Sequence, residues 1–236
     1  TEALAVQGIQ QGKYSIGGRA LGKLIQGMLV LGYSRDRVLE LQLIAHSVGR
    51  QTGNFLPFDD YEVLPGESLY VVRAKMRKQG RKLNYRWIAD FNHKSKYGVG
   101  EGETLKIPVQ ELSVIAWRGA RVLVVFAGDY PIRVFPCSAG RKGQETPLGS
   151  FTLGICEEKP AYYPSGKPAI PYGNPNNPLG ERWMGYQESP SYGIHGTNSE
   201  STIGSYETEG CIRMHNTDVL ELFDLLPVGA PVEIRS

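Results

Sequence analysis

The apolar residues of this chain keep a helical spacing up to about residue 53 and then give way to short strand-like runs broken by turns. A change of period of that kind divides a chain into segments of different secondary structure. Leu21, Leu24, Ile25, Met28 and Leu29 fall on one helical face, and Gly32 reads as a stop. A second run starts at Ser34, a suitable N-cap with Asp36 and Arg37 behind it, and puts Val38, Leu41, Ile44, Ala45 and Val48 on one face. Gly53, Pro57, Asp59 and Asp60 then break it. The pattern predicts an N-terminal helical hairpin within residues 1–58, a packing appendage rather than an interaction module.

Residues 59–110 read differently. Tyr61-Glu62-Val63 alternates like a short strand, Pro65-Gly66-Glu67 is a turn, and Ser68 can cap a helix through Arg77. A second helix is expected over about Asn84–Asn92, and Gly100–Glu103 turns into a strand ending at Pro108. The segment resembles a LysM domain through Tyr61, Val63, Pro65, Gly66, Glu67, Ser68 and Leu69, through Asn92, and through Gly102, Leu105, Ile107 and Pro108. The resemblance implies a small β-α-α-β module that binds glycans containing N-acetylglucosamine. Its interior, from Met76 to Tyr85, is longer and more basic than the family's usual one. The basic run Arg73, Lys75, Arg77, Lys78, Arg81 and Lys82 reads first as a solvated face, with attraction to anionic wall polymers as the alternative.

Residues 111–236 are β-rich. Leu112–Trp117, Val122–Ala127, Tyr130–Ser138 and Ser150–Cys156 are strand-like. Lys159–Leu179 holds six prolines and three asparagines, so it cannot pair as a central strand and reads as a long loop, either a lid or a surface excursion. Asn216 reads as the N-cap of a helix carrying Val219, Leu220, Leu222, Phe223 and Leu226, and Pro231–Ile234 as a closing strand.

Bulk properties exclude some classes. A formal net charge of +2 over 236 residues lacks the basic footprint of a nucleic-acid binder. The apolar runs Ile25–Leu31 and Val122–Ala127 fall far short of the roughly 18–20 residues of a membrane helix, so no stable membrane span is expected in this chain. The sequence begins at Thr1, so export is left open at this point. Three cysteines, Cys137, Cys156 and Cys211, leave at least one thiol unpaired.

The chemistry concentrates in Tyr192-Gly193-Ile194-His195-Gly196-Thr197 and Thr208-Glu209-Gly210-Cys211-Ile212-Arg213-Met214-His215-Asn216. A thiol needs a neighbouring base to act as a nucleophile near neutral pH, and neighbouring strand ends can bring His195 to Cys211. Gly210 allows the close backbone approach that an oxyanion hole requires. Cys211, His195 and His215 can also be drawn as a zinc site, but their spacing fits no known finger and no metal is expected. Cys137, Cys156, His46 and His93 read as core or surface residues.

These stretches, with Thr146-Pro147, Gly149, Phe151, Leu179-Gly180, Arg182-Trp183, Ile203-Gly204, Asp218-Val219, Leu222 and Gly229-x-Pro231-Val232-x-Ile234, resemble the catalytic domain of the YkuD-like L,D-transpeptidases. The resemblance implies a mostly β catalytic domain with a C-terminal helix. It implies Cys211 as nucleophile, His195 as base, the Gly196 carbonyl orienting the imidazole, and backbone amides around Gly210 and Cys211 as oxyanion donors. Arg213, Thr208, Thr197, Trp183 and Tyr186 become substrate-binding or supporting residues. The implied reaction needs no cofactor. Cys211 attacks the carbonyl of the third, diamino residue of a peptidoglycan tetrapeptide stem, the terminal D-residue leaves, and an amine takes the acyl group to form a 3-3 cross-link. Water as acceptor would make the protein an L,D-carboxypeptidase, and a degenerate site would make it a wall-binding protein. The implied partners are stem peptides and glycan strands, the implied location is outside the cytoplasm, and carbapenems should acylate the same thiol. Where the family commonly has a basic residue or imidazole, this chain has Glu209. A carboxylate there is expected to disfavour the thiolate unless it points to solvent or pairs with a neighbour such as Arg213.

Overall fold

The computed structural model describes residues 2–94 and 97–236. It opens with helices α1 (Glu2–Gln10), α2 (Tyr14–Val30), α3 (Arg35–Leu39) and α4 (Gln42–Gln51). The α2 stop is built as expected. Gly32 takes φ +74°, its N–H bonds to the Leu29 carbonyl, and the Tyr33 N–H reaches back to Met28. That is the Schellman arrangement, which satisfies carbonyls a helix end leaves open. The Ser34 hydroxyl accepts the Arg37 N–H at 3.4 Å, as a cap should. The run after Ser34 is two helices rather than one, because the chain tightens at Glu40–Leu41, where Leu41 N–H bonds to Val38. The kink keeps Val38, Leu41, Ala45 and Val48 all buried. Helix α1 has no strong apolar stripe of its own. It lies on α2 where Gly8 and Gly17 let the two backbones approach.

Next come β1 (Phe58–Glu62), α5 (Leu69–Lys78), α6 (Tyr85–Phe91) and β2 (Thr104–Pro108). The two strands pair antiparallel, with Tyr61 opposite Leu105. Asn92 ties the end of α6 to β2: its Nδ2 donates to the Lys106 carbonyl and its Oδ1 accepts the Lys106 N–H, both at 2.8 Å. Leu69, Val72, Ile88, Phe91 and Leu105 fill the space between helices and strands.

The remaining elements are β3 (Leu112–Trp117), β4 (Val122–Ala127), β5 (Tyr130–Pro136), β6 (Ala139–Gly140), β7 (Gly149–Glu158), β8 (Arg182–Tyr186), β9 (Gly193–His195), β10 (Tyr206–Thr208), β11 (Ile212–Arg213), α7 (Asn216–Leu225) and β12 (Pro231–Arg235). Two compact units divide the chain. The first is Thr1–Ser113 with Val124–Val134 and Asp224–Ala230, and the second is Val114–Leu123, Phe135–Phe223 and Pro231–Ser236. In the first unit, α2 and α4 lie against residues 129–133, and side chains at Gly22 and Gly49 would collide with that backbone. There the Arg133 guanidinium is buried and bonds Asp90 at 2.9 Å.

In the second unit the strands run β11-β9-β8-β7-β12-β3. Pairing is parallel between β11 and β9 and between β12 and β3, and antiparallel elsewhere in that run. Met184, Ile194 and Ile212 are successive cross-strand partners, and all three are fully buried. Their strand neighbours Trp183, His195 and Arg213 therefore face the other side, since side chains alternate along a strand. The proline-rich stretch after β7 is ordered by the buried Asn177, whose Nδ2 donates to Pro160 and Ile170 carbonyls and whose Oδ1 accepts the Leu179 N–H. No helix among the described residues is long and apolar enough to cross a membrane.

Two glycine substitutions in the first unit are expected to move stability in opposite directions. At Gly53 a Cβ would fall on the Phe91 carbonyl, so Gly53→Ala should destabilise by about 1–3 kcal/mol. At Gly27, inside α2, a Cβ meets nothing, so Gly27→Ala should stabilise by about 0.5–1 kcal/mol. Urea unfolding of the two variants checks both signs.

Candidate active site

Strand register builds the site. Glu157 on β7 pairs with Trp183 on β8, Trp183 with His195 on β9, and His195 with Arg213 on β11. Directly paired residues share a face, so the four form one row across the sheet. Cys211 stands at the bend just before β11. It lines a cavity of about 680 Å³ together with all four members of the row. The Trp183 indole stacks on the His195 ring with centroids 5.9 Å apart. Tyr162, Tyr163, Pro178 and Leu179 also line the cavity, so the proline-rich loop supplies one of its walls.

The turn before the thiol is held from both sides. Gly210 sits at φ +114°, and a Cβ there would overlap the Tyr192 ring. Both the backbone angle and the close approach demand glycine. The Thr208 hydroxyl donates to the Cys211 carbonyl at 2.7 Å and accepts the Gly210 N–H at 3.2 Å. The Gly210 amide is thereby used inside the turn. The Cys211 thiol lies 3.9 Å from the Ser191 carbonyl.

His195 is buried, with Nδ1 2.8 Å from the Gly196 carbonyl. A carbonyl only accepts, so the proton is on Nδ1 and the Nε2 lone pair is left for chemistry. The peptide that carries this carbonyl is fixed in turn by Asn216. Its Oδ1 accepts the N–H groups of Glu181 and Thr197, and its Nδ2 donates to the Thr197 carbonyl and to Glu200. Asn216 is thus a clamp on the loop after His195 rather than the expected N-cap. The first helical acceptor of α7 is the His215 carbonyl.

Two other expected site residues sit behind the cavity. Thr197 is buried and accepts the Ser199 N–H through its hydroxyl, ordering the same loop. Tyr186 is buried, stacks on Phe151 at 4.8 Å and does not line the cavity. The His215 ring bonds Glu200 and stays outside the cavity lining.

Burial pushes the Cys211 thiol up to about 11, against the pull of the Gly193 N–H and the Arg213 charge. Burial, and then the Arg213 charge, hold the His195 imidazole down at about 4, against the Gly196 carbonyl. The resting cavity therefore holds a neutral thiol and a neutral imidazole. Glu209 pairs with Arg141 at 2.9 Å, not with Arg213, and both partners are exposed. The Glu209 charge still pushes the thiol up, less than burial does.

Arg141, Glu157, Tyr162 and Tyr163 were not anticipated as lining residues, and no local pattern marks them, because they arrive through register and loop closure. Removing the Asn216 amide should unfasten the loop behind His195. Asn216→Ala is expected to cost about 1–3 kcal/mol in urea unfolding, since two part-buried N–H groups lose their acceptor.

The YkuD family, the L,D-transpeptidase catalytic domain, matches residues 113–234. The chain is 42% identical over 125 residues to a Bacillus subtilis protein named L,D-transpeptidase YqjB, a match taking in 51% of this chain and 69% of the other. It is 33% identical over 181 residues to the L,D-transpeptidase YkuD of Bacillus licheniformis, covering 74% of this chain and 97% of that one. A solved L,D-transpeptidase from Mycobacterium smegmatis aligns at a TM-score of 0.46 and 19% identity, over 59% of this chain and 65% of the other. The cavity lies wholly within the matched residues, and the chain belongs to the YkuD-type L,D-transpeptidase family of acyl-transferring enzymes.

Proposed function

We propose that Cys211 is the nucleophile of this L,D-transpeptidase and His195 its base. The observation that carries this reading is a thiol and an imidazole lining one cavity, with the imidazole's Nδ1–H committed to the Gly196 carbonyl. Because thiol and imidazole are both neutral at rest, the proton moves as the bond forms rather than beforehand. Nε2 takes the Sγ proton as Sγ adds to the carbonyl of the third residue of a tetrapeptide stem. The Cys211 N–H stabilises the resulting oxyanion. The imidazolium then gives its proton to the departing amine of the terminal D-residue, leaving a thioester. An amine from a second stem adds to the thioester and loses a proton to His195. Collapse expels Sγ, which recovers that proton, and the product is a 3-3 cross-link. Thr208 holds the turn, Trp183 supports the imidazole face, and Arg213 sets the charge beside both reacting groups. With water in place of the amine the same steps give an L,D-carboxypeptidase.

The β1-α5-α6-β2 segment carries the LysM-like residues, and we assign it to glycan strands. Peptidoglycan as substrate places the enzyme outside the cytoplasm. The glycan assignment is tested by pelleting the full chain with insoluble peptidoglycan. Chitooligosaccharide should compete, and unchanged pelleting in its presence would remove the assignment.

Cys211→Ala should abolish product from disaccharide-tetrapeptides and abolish the mass adduct with a carbapenem. His195→Ala should lower turnover by at least about 100-fold. Wild-type rates in either variant would refute the corresponding role. Dimers among the products identify amine transfer, and tripeptide alone identifies hydrolysis.

The neutral resting pair sets a pH signature. The iodoacetamide alkylation rate of Cys211 should rise about tenfold per pH unit through neutral pH and level off only near 11. A plateau below pH 8 would mean a preformed thiolate–imidazolium pair. In Glu209→Gln the profile should overlay the wild type within a few tenths of a pH unit, because Arg141 already balances that carboxylate.

A further inference from the structure

The charged side chains in the cavity wall are Arg141, Arg213, Glu157, Glu207 and Glu209. Two oppositely charged sets account for four of them. Arg141 bonds Glu209, and the Glu207 charge acts to raise Arg213. Glu157 is the remainder. Among the described residues it has no ion-pair partner, although its neighbour Glu158 is taken by Arg182 at 3.5 Å. It is exposed to the cavity at the opposite end of the cross-strand row from Arg213, and the member of the row next to it is Trp183. A carboxylate beside an indole makes a pairing site for an ammonium group, through charge and through the ring face. A second carboxylate or a phosphate would be repelled there.

Resting on the Cys211 reading above, we infer that Glu157, with the Trp183 ring, binds the side-chain ammonium of the diamino residue whose carbonyl Cys211 attacks. Strands lie about 4.8 Å apart, so the Glu157 backbone is roughly 14 Å from that of Arg213 across the row. The diamino side chain and the reach of Glu157 itself span that gap. The acceptor amine cannot be the group held there, because it must stand over the thioester at Cys211. Glu157 is therefore a specificity residue for the acyl donor. It makes the enzyme read the free amine of an uncross-linked stem, and a stem whose amine is already acylated becomes the poorer donor.

The test compares two disaccharide-tetrapeptides as donors, one with the side-chain amine free and one with it N-acetylated. Release of the terminal D-residue is followed with one fixed exogenous amine as acceptor, in the full chain and in Glu157→Gln. The wild type should show a KM about three- to tenfold lower for the free-amine donor, the range for a charge-assisted contact in a partly open site. In Glu157→Gln the two KM values should converge through a rise in that of the free-amine donor. Equal KM values in the wild type, or a preference that survives in Glu157→Gln, would overturn the inference. Failure of the wild type to turn over either donor and to form a carbapenem adduct at Cys211 would overturn the underlying thiol reading, and this one with it.

Discussion

The site depends on the parity of strand pairing. His195 faces the cavity because Ile194 faces the core, and the same holds for Arg213 beside Ile212 and Trp183 beside Met184. A slip of one residue would turn the imidazole and the guanidinium to the core face and Ile194 and Ile212 to the cavity face. The three buried partners therefore fix the register, and the register fixes the chemistry. The fully buried Met184–Ile194–Ile212 row is what makes the slip costly.

Around that frame, side-chain amides and hydroxyls hold the short loops that present the reacting groups. Thr208 closes the turn that carries Cys211, and Asn216 closes the loop that carries the Gly196 carbonyl. The same burial that orders these loops raises the thiol and lowers the imidazole, so the resting pair stays neutral. A neutral thiol is a weaker nucleophile than a thiolate, so a raised thiol is less open to oxidation and alkylation.

Electrostatics in the cavity is local. Glu209 is only two residues from Cys211, yet its partner Arg141 comes from the turn between β6 and β7. Sequence proximity alone overstates its effect on the thiol, because an exposed, paired carboxylate is screened twice, by its partner and by water. Glu157 is the reverse case: far in sequence from Cys211 and His195, it is set in their row by strand pairing.

Elements with a strong local period were legible from residues alone. Strands β3, β4, β5 and β7, the helical runs around Leu21–Leu29 and Val38–Val48, and the Gly32 stop all follow from the spacing of apolar side chains or from one backbone angle. The motifs around His195 and Cys211 likewise named a thiol and an imidazole that line one cavity. The sequence made Asn216 an N-cap and Thr197 and Tyr186 substrate-binding or supporting residues, but it did not say what each of them touches. An asparagine before a helix has several ways to satisfy its four hydrogen-bonding sites, and a tyrosine's depth depends on neighbours it does not meet in sequence. Residue types, their spacing and the thiol–imidazole chemistry were determined by the sequence itself. Tertiary structure alone decided that Glu157, Trp183, His195 and Arg213 form one row. Which strands become neighbours, and in which register, is settled by burial summed over the whole sheet and not by any local stretch of chain.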